Sequence, residues 1–243
     1  MANKNRKRID DFVSICSSFD IVDLSHPLEE QMPIWPGLSK YYHTLWFSIH
    51  YGDAATAYQL VMSEHTGTHV DAPGHYVPSG YPNHKWVDQV DLENWMGRAA
   101  LIDCRDIKPR SEVPARKVID WERSNGKLRT GDIAVFNFGW YEKWATRPDD
   151  TEFLKNWPGL GPECIEILID RGIKAVGVDT LSPDIYASEG DPVHHTLLGE
   201  GIMIIENLAN LRLPSPLFYL ISLPLKIRGG SGSPVRALAL VPK

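Results

Sequence analysis

Apolar positions along this chain fall mostly in short runs rich in β-branched and aromatic residues, bounded by Gly, Pro, Asn and Asp. Such runs predict strands. They are Phe19–Leu24 (FDIVDL), His43–His50 (HTLWFSIH), Ala57–Ser63 (AYQLVMS), Arg98–Cys104 (RAALIDC) and Gly131–Phe138 (GDIAVFNF). Lys174–Asp179 (KAVGVD), Gly201–Asn207 (GIMIIEN), Leu217–Leu223 (LFYLISL) and Val235–Val241 (VRALALV) complete the set. Helical patterning is rarer. Gly161–Gly172 has Pro162 near its start, Gly172 just past its end, and apolar Ile165, Leu168 and Ile169 between them. It runs straight into the Lys174 strand, as an αβ unit does. Val113–Arg123 is a second candidate helix. Asp191–Gly199 is a third, in which Asp191 can cap and Pro192 suits the first helical position. No repeat, low-complexity segment or linker divides the chain. The pattern predicts an α/β fold: residues 1–18 as an N-terminal tail or short helix, and 19–243 as a single strand-rich domain with a few covering helices.

Composition narrows this little but excludes much. A chain of 243 residues buries a core without disulfides or a structural metal, so a metal here would be functional. The net charge of −6 argues against a nucleic-acid footprint. The one basic cluster, Asn3–Arg8, reads as a solvated tail. Cys16, Cys104 and Cys164 form no CxxC pair; reduced thiols suit a cytoplasmic protein. No apolar run reaches the ~20 residues of a membrane span.

One stretch stands apart. In Ser63–Tyr76 (SEHTGTHVDAPGHY), His65, His69, Asp71 and His75 lie within eleven residues, all at odd positions. The β-branched Thr66, Thr68 and Val70, with Gly67 and Pro73, make a helix a poor host. An extended chain points all four donors to one face. In a straight strand, however, His65 and His69 would be roughly 13 Å apart at ~3.3 Å per residue, whereas a metal holds its donors at about 2.0–2.2 Å. The chain must bend, and Gly67 permits it. Pro73–Gly74 supplies a second turn that brings His75 back. The pattern is not H-E-x-x-H, so a zincin is not implied.

Further donors lie in the C-terminal half. His194 and His195 are adjacent, and Glu206 closes the apolar run Gly201–Asn207. An isolated buried carboxylate is costly, so Glu206 is either a strand-end residue facing water or a ligand. Helical spacing allows at most one of His194 and His195 to face the same site. Eight tryptophans are many for this length. Trp35, Tyr41, Trp86, Trp140 and Trp144 are candidates for flat apolar walls. Cys104 and Cys164 sit in an apolar strand and an amphipathic helix, which suits them poorly as nucleophiles.

His65–His75 (HTGTHVDAPGH) resembles, at every position, the H-x-G-[TA]-H-x-D-x-P-x-H signature of the cyclase family of metal-dependent hydrolases, which includes bacterial kynurenine formamidases and isatin hydrolases. Trp35–Gly37 (WPG), Gly177–Asp184 (GVDTLSPD) and His194–Leu208 support it, in family order. The resemblance implies a swivelling β/β/α-type domain. It implies that His65, His69 and Asp71 ligate a first metal, that Asp71 and Glu206 bridge to a second, and that His194, by its spacing to Glu206, is a further ligand. It makes His75 the general acid/base and Trp35 a substrate contact. Homodimers or tetramers are expected. The bulkier segments after His75 and around Trp140–Gly159 look like the longer, isatin hydrolase branch, in which one metal can suffice.

Ligands that are nitrogen and oxygen only suit Zn²⁺ or Mn²⁺, as one or two ions. The reading is a hydrolase cleaving a C–N amide bond of a small aromatic or cyclic amide (isatin or a lactam) or of an N-formyl arylamine. The rivals are kynurenine formamidase proper, a lyase or cyclase using the same metal without net hydrolysis, and a non-catalytic metal-binding protein, for which His75 would be superfluous.

Overall fold

Three runs with no polar face, Ile133–Asn137, Ala175–Val178 and Met203–Glu206, are buried along their whole length. That is the signature of parallel strands covered on both sides. The structure, a computed structural model, describes residues 2–243. Its strands are β1 (Phe19–Asp23), β2 (Tyr42–Phe47), β3 (Ala57–Val61), β4 (His69–Asp71), β5 (Met96–Asp103), β6 (Glu112–Val113), β7 (Ile133–Asn137), β8 (Gly159–Leu160), β9 (Ala175–Val178), β10 (Met203–Glu206), β11 (Leu217–Ile221), β12 (Gly232–Pro234) and β13 (Leu238–Pro242). Its helices are α1 (Ala2–Cys16), α2 (Ala115–Asn125), α3 (Pro162–Asp170) and α4 (Pro192–Gly199). Nine strands form one sheet in the order β1-β13-β11-β5-β7-β9-β10-β4-β12. β5, β7, β9 and β10 run parallel in its middle, and antiparallel strands extend it on both sides.

Alternation along each strand gives the sheet two cores. Ala134 and Phe136 of β7 face a layer with Val118 and Trp121 of α2 and Cys164 and Leu168 of α3. Ile133 and Val135 face the opposite layer with Leu24, Trp95, Ile205 and Phe218. Trp121 places its indole N–H on the Leu101 carbonyl at 2.8 Å, which satisfies the one polar atom it brings inside. Burial raises the thiol pKa values of Cys104 and Cys164, the latter to about 12, so neither is a thiolate at neutral pH.

Two elements lie off this frame. The N-terminal segment is a 15-residue helix with Ile9, Phe12, Val13 and Ile15 exposed. β2 and β3 pair only with each other. Every residue of β2 is exposed, and Trp46 is 70% exposed. No helix among the described residues is long and apolar enough to cross a membrane.

The site-bearing strand β4 is only three residues long because the chain bends on either side of it. Gly67 adopts φ 61°, and a Cβ there would lie 2.7 Å from Leu28 Cδ2. After Asp71 a 3₁₀ turn at Pro73–His75 reverses the chain. β4 lies between β10 and β12, with His69 opposite both Glu206 and Pro234. This register brings a carboxylate from the C-terminal half beside the histidine stretch.

Candidate metal centre and its cavity

The bends and the β4–β10 pairing gather the donors into one buried floor. His69 Nε2 lies 3.2 Å from Glu206 Oε2 and 3.5 Å from Asp71 Oδ1. His194 Nε2 lies 3.1 Å from Glu206 Oε1 and 3.6 Å from Asp71 Oδ2. His65 Nδ1 lies 2.6 Å from Asp71 Oδ1. His69, Asp71 and Glu206 form one compact ligand group; His65, Asp71 and His75 form another, and Asp71 is common to both. Glu206 is 5% exposed, so it is not a strand-end residue in water. Of the adjacent pair, His194 is buried against these carboxylates and His195 is exposed.

Each floor histidine is held from behind. The Nδ1–H of His69 donates to the Gly67 carbonyl at 2.8 Å. The Nδ1–H of His194 donates to Asp184 Oδ2 at 2.6 Å. His65 Nε2 donates to Ser231 Oγ at 2.8 Å, and that hydroxyl donates to Glu64 Oε2 at 2.8 Å. Gly232 leaves room for this arrangement: a Cβ there would lie 2.6 Å from His65 Cε1. Partners of this kind fix the tautomer and aim the other ring nitrogen at the metal.

These contacts show that the donors fit a divalent ion. With Nδ1 donating, a neutral His69 or His194 turns the lone pair of Nε2 towards carboxylate oxygens, which is repulsive unless a cation lies between. Asp71 Oδ2 and Glu206 Oε1 are buried without a hydrogen-bond partner. Donors at about 2.1 Å from one ion lie roughly 3–3.5 Å apart, the range of the imidazole–carboxylate spacings from His69 and His194. Without an ion, protons take its place. Burial pulls the His69 pKa down, but Asp71 and Glu206 overcome it and raise it to about 9. Burial likewise opposes His194, which Asp184, Asp71 and Glu206 hold well above the ordinary imidazole value. Burial raises the Asp71 pKa, yet the facing His65, His194 and His69 hold it well below the carboxylate range.

His75 is different. Its ring has no hydrogen-bond partner among the described residues, is exposed to the cavity, and stacks on His65 at 4.0 Å. Desolvation in the concave site, with the neighbouring His65 and His194, lowers its pKa to about 4 against the pull of Asp71 and Glu206. It is a neutral imidazole beside the cluster with both ring nitrogens available.

Above the floor is a cavity of about 190 Å³ with Pro33, Ile34, Trp35, Leu38 and Leu181 as apolar wall. Of the five aromatic candidates only Trp35 lines it. Trp140 is a core residue whose N–H donates to the Phe153 carbonyl. Trp144 stacks on His26 at 3.9 Å, and Tyr41 and Trp86 lie outside the cavity lining. The sequence reading gave no role to Asp184, Tyr76, Ser231 or Glu64. Asp184 had a signal: it ends GVDTLSPD, just after a buried strand, where a carboxylate needs a partner. Asp191 occupies the N-cap position of α4 but does not cap it with its side chain. Asp184 accepts the Val193 and His194 amides instead, at 2.8 and 3.1 Å.

Residues 22–185 match the Cyclase family, described as "Putative cyclase". The chain is 33% identical over 220 residues to a kynurenine formamidase of Polaromonas naphthalenivorans, covering 90% of this chain and 89% of the relative. It is 32% identical over 198 residues to an isatin hydrolase of Roseibium aggregatum, covering 76% and 74%. Among solved structures it superposes on isatin hydrolase A from Labrenzia aggregata bound to benzyl benzoate with a TM-score of 0.87, at 30% identity, covering 97% of this chain and 100% of that one. An isatin hydrolase bound to the product analogue thioisatinate gives 0.88 at 26% identity, covering 98% and 99%. With the family match over most of the chain and relatives of this identity and coverage, the protein belongs to the cyclase family.

Proposed function

We propose that the protein is a metal-dependent hydrolase that cleaves the C–N bond of a small amide. The substrate class is a cyclic amide such as isatin or a lactam, or an N-formyl arylamine. The observation that carries this reading is one juxtaposition. A buried floor of paired carboxylates and imidazoles that needs a cation lies beside an unpartnered imidazole, His75, under an apolar wall. His65, His69, Asp71, His194 and Glu206 would hold Zn²⁺ or Mn²⁺, as one or two ions. When bound, the metal supplies a water activated near neutral pH and Lewis-acid polarisation of the carbonyl.

The chain's own residues do the rest. Neutral His75 takes the proton from the attacking water at a ring nitrogen and returns it to the leaving nitrogen, without which an amide does not expel an amine. Trp35, Pro33 and Leu181 keep water from the ring of the substrate and orient its plane. Asp184 keeps His194 in the Nδ1–H tautomer, so that Nε2 faces the floor.

The test is a screen of purified protein, with Zn²⁺ or Mn²⁺ added, against isatin, small lactams, N-formyl arylamines and N-formylkynurenine. Product mass is the readout. Gain of one water is expected, and chelator abolishes it. A product without added water overturns hydrolysis in favour of a lyase.

The exposed hairpin supports a homo-oligomer as well. The register puts Leu45, Tyr58 and Leu60 on one face of the hairpin and Tyr42 and Val61 on the other, all of them exposed, and apolar side chains gathered this way suit an interface. Light scattering should give a dimer or tetramer, and Trp46→Glu with Leu60→Glu should shift it towards monomer. A wild-type monomer at all concentrations defeats this part.

A further inference from the structure

Asp191 occupies the N-cap of α4 with φ 43° and ψ 57°, a left-handed conformation uncommon for a residue with a Cβ. N-cap aspartates ordinarily cap; this one does not. Asp184 does so from earlier in the chain, in the fold's interior, binding the Val193 and His194 amides. That leaves the Asp191 carboxylate free, and Oδ2 accepts the Tyr76 phenol hydroxyl at 2.8 Å. Tyr76 is itself fixed: its ring stacks on His194 at 4.8 Å and meets His75 edge-on at 4.7 Å. Both residues line the cavity.

The charges around the cavity are one-sided. Its lining contains no Lys or Arg, and its carboxylates are Asp71, Glu206 and Asp191. The first two face the floor histidines. Among the described residues the Asp191 side chain has only a neutral phenol as partner, so its charge and its remaining lone pairs are available to whatever enters.

We propose that Asp191, oriented by Tyr76, is the specificity-determining charge of this cavity. It selects amides that are neutral or carry an N–H or ammonium donor at the end remote from the scissile carbonyl, and it rejects amides bearing a carboxylate there. This rests on the amide hydrolase reading. The discrimination is by repulsion as much as by attraction.

The experiment uses three formanilides that differ only in the para substituent: uncharged, aminomethyl (cationic) and carboxylate. The ratio of kcat/KM between members is measured in metal-loaded wild type, Asp191→Asn and Asp191→Glu. Wild type should favour the cationic over the uncharged and the uncharged over the anionic substrate, with added salt compressing the order. Asp191→Asn should raise the anionic-to-uncharged ratio roughly fivefold to tenfold, mainly through KM, as expected for one partly screened charge at close range. Asp191→Glu should keep the wild-type order. A wild type that prefers the anionic substrate, or an Asp191→Asn enzyme whose ratios do not move, overturns the proposal. If no member is cleaved, calorimetric binding of the three compounds reads the same preference. A shift there in Asp191→Asn upholds the role of Asp191 while the hydrolase reading falls, and no shift overturns it.

Discussion

The floor and the rim of the cavity use histidine in opposite ways. On the floor, burial alone would strip the proton from His69 and His194, yet facing carboxylates reverse the effect and raise both pKa values. His75 at the rim, and His26 packed on Trp144 outside the cavity lining, have no hydrogen-bonded carboxylate, and desolvation lowers each to about 4. The residue type is the same; the difference is whether a carboxylate shares the desolvated space. A floor that attracts positive charge and a rim imidazole that stays neutral are two requirements of metal-assisted proton transfer. Here they are met a few ångströms apart.

The sharpest way to break this contrast is to remove the charge of the floor. Glu206→Gln keeps the shape but leaves His69 and His194 facing one carboxylate fewer, so metal content should fall below one equivalent and amide turnover by at least about 10³-fold. Elemental analysis and initial rates measure both; full metal occupancy with wild-type rates would show that Glu206 is no ligand. The rim should fail differently. His75→Gln should retain its metal while kcat falls roughly 10²–10⁴-fold, and amides should suffer more than activated esters, whose leaving groups need no proton. Wild-type amide turnover in this variant would remove His75 from the mechanism.

The same contrast has a pH signature in the metal-free protein. His69 has a folded pKa of about 9, above the unfolded value of 6.5. Its contribution is therefore fully present below pH 6.5 and is lost as pH rises through 9, on the order of 3 kcal/mol. His26 has a folded pKa of about 4, below the unfolded value, because burial against Trp144 and Phe153 disfavours its charge. Its contribution is present above pH 6.5 and is lost as pH falls through 4, by a similar or smaller amount. Chelator-treated protein should then show a stability maximum near pH 6.5 in denaturant titrations. Metal should erase the alkaline limb alone, because ligation replaces the His69 proton. An alkaline limb that metal leaves unchanged would dissociate His69 from the ion.

Much of the floor is legible in the sequence. The odd phase of His65, His69, Asp71 and His75 and the need for a bend at Gly67 follow from strand geometry, and the positive φ of Gly67 is that bend. Family resemblance brought in His194 and Glu206, which spacing alone left open. The rim was less legible. Asp191 precedes Pro192 and reads as a cap by every local rule, but the cap comes from Asp184, a tertiary contact that no local pattern encodes. The N-terminal helix carries Ile9, Phe12 and Val13 at helical spacing among its charges. Aromatic wall candidates failed as well: Trp140 and Trp144 lie in loop-like sequence, yet the first is core and the second packs on His26.

The smallest effect tests whether the contrast is built by the partner behind each ring. Asp184 lies 2.6 Å from His194 Nδ1 and also accepts two amides at the start of α4. In Asp184→Asn one oxygen still accepts an amide, so the helix start is largely kept, but the negative charge behind His194 is gone and an amide NH₂ can face Nδ1. His194 then no longer has a reason to hold its proton on Nδ1 and its lone pair on Nε2. Metal affinity should fall about 10–100-fold, the usual cost of a lost outer-shell carboxylate, equivalent to about 1.4–2.7 kcal/mol. Calorimetric titration of apo-protein reads this without turnover. A Co²⁺-loaded sample should also show an altered visible spectrum, which simple loss of helix capping would not produce. Asp184→Glu, which restores the charge, should recover part of the affinity. If Asp184→Asn lowers only the melting temperature and leaves affinity and spectrum unchanged, Asp184 is a helix cap and no more, and the floor owes its character to Asp71 and Glu206 alone.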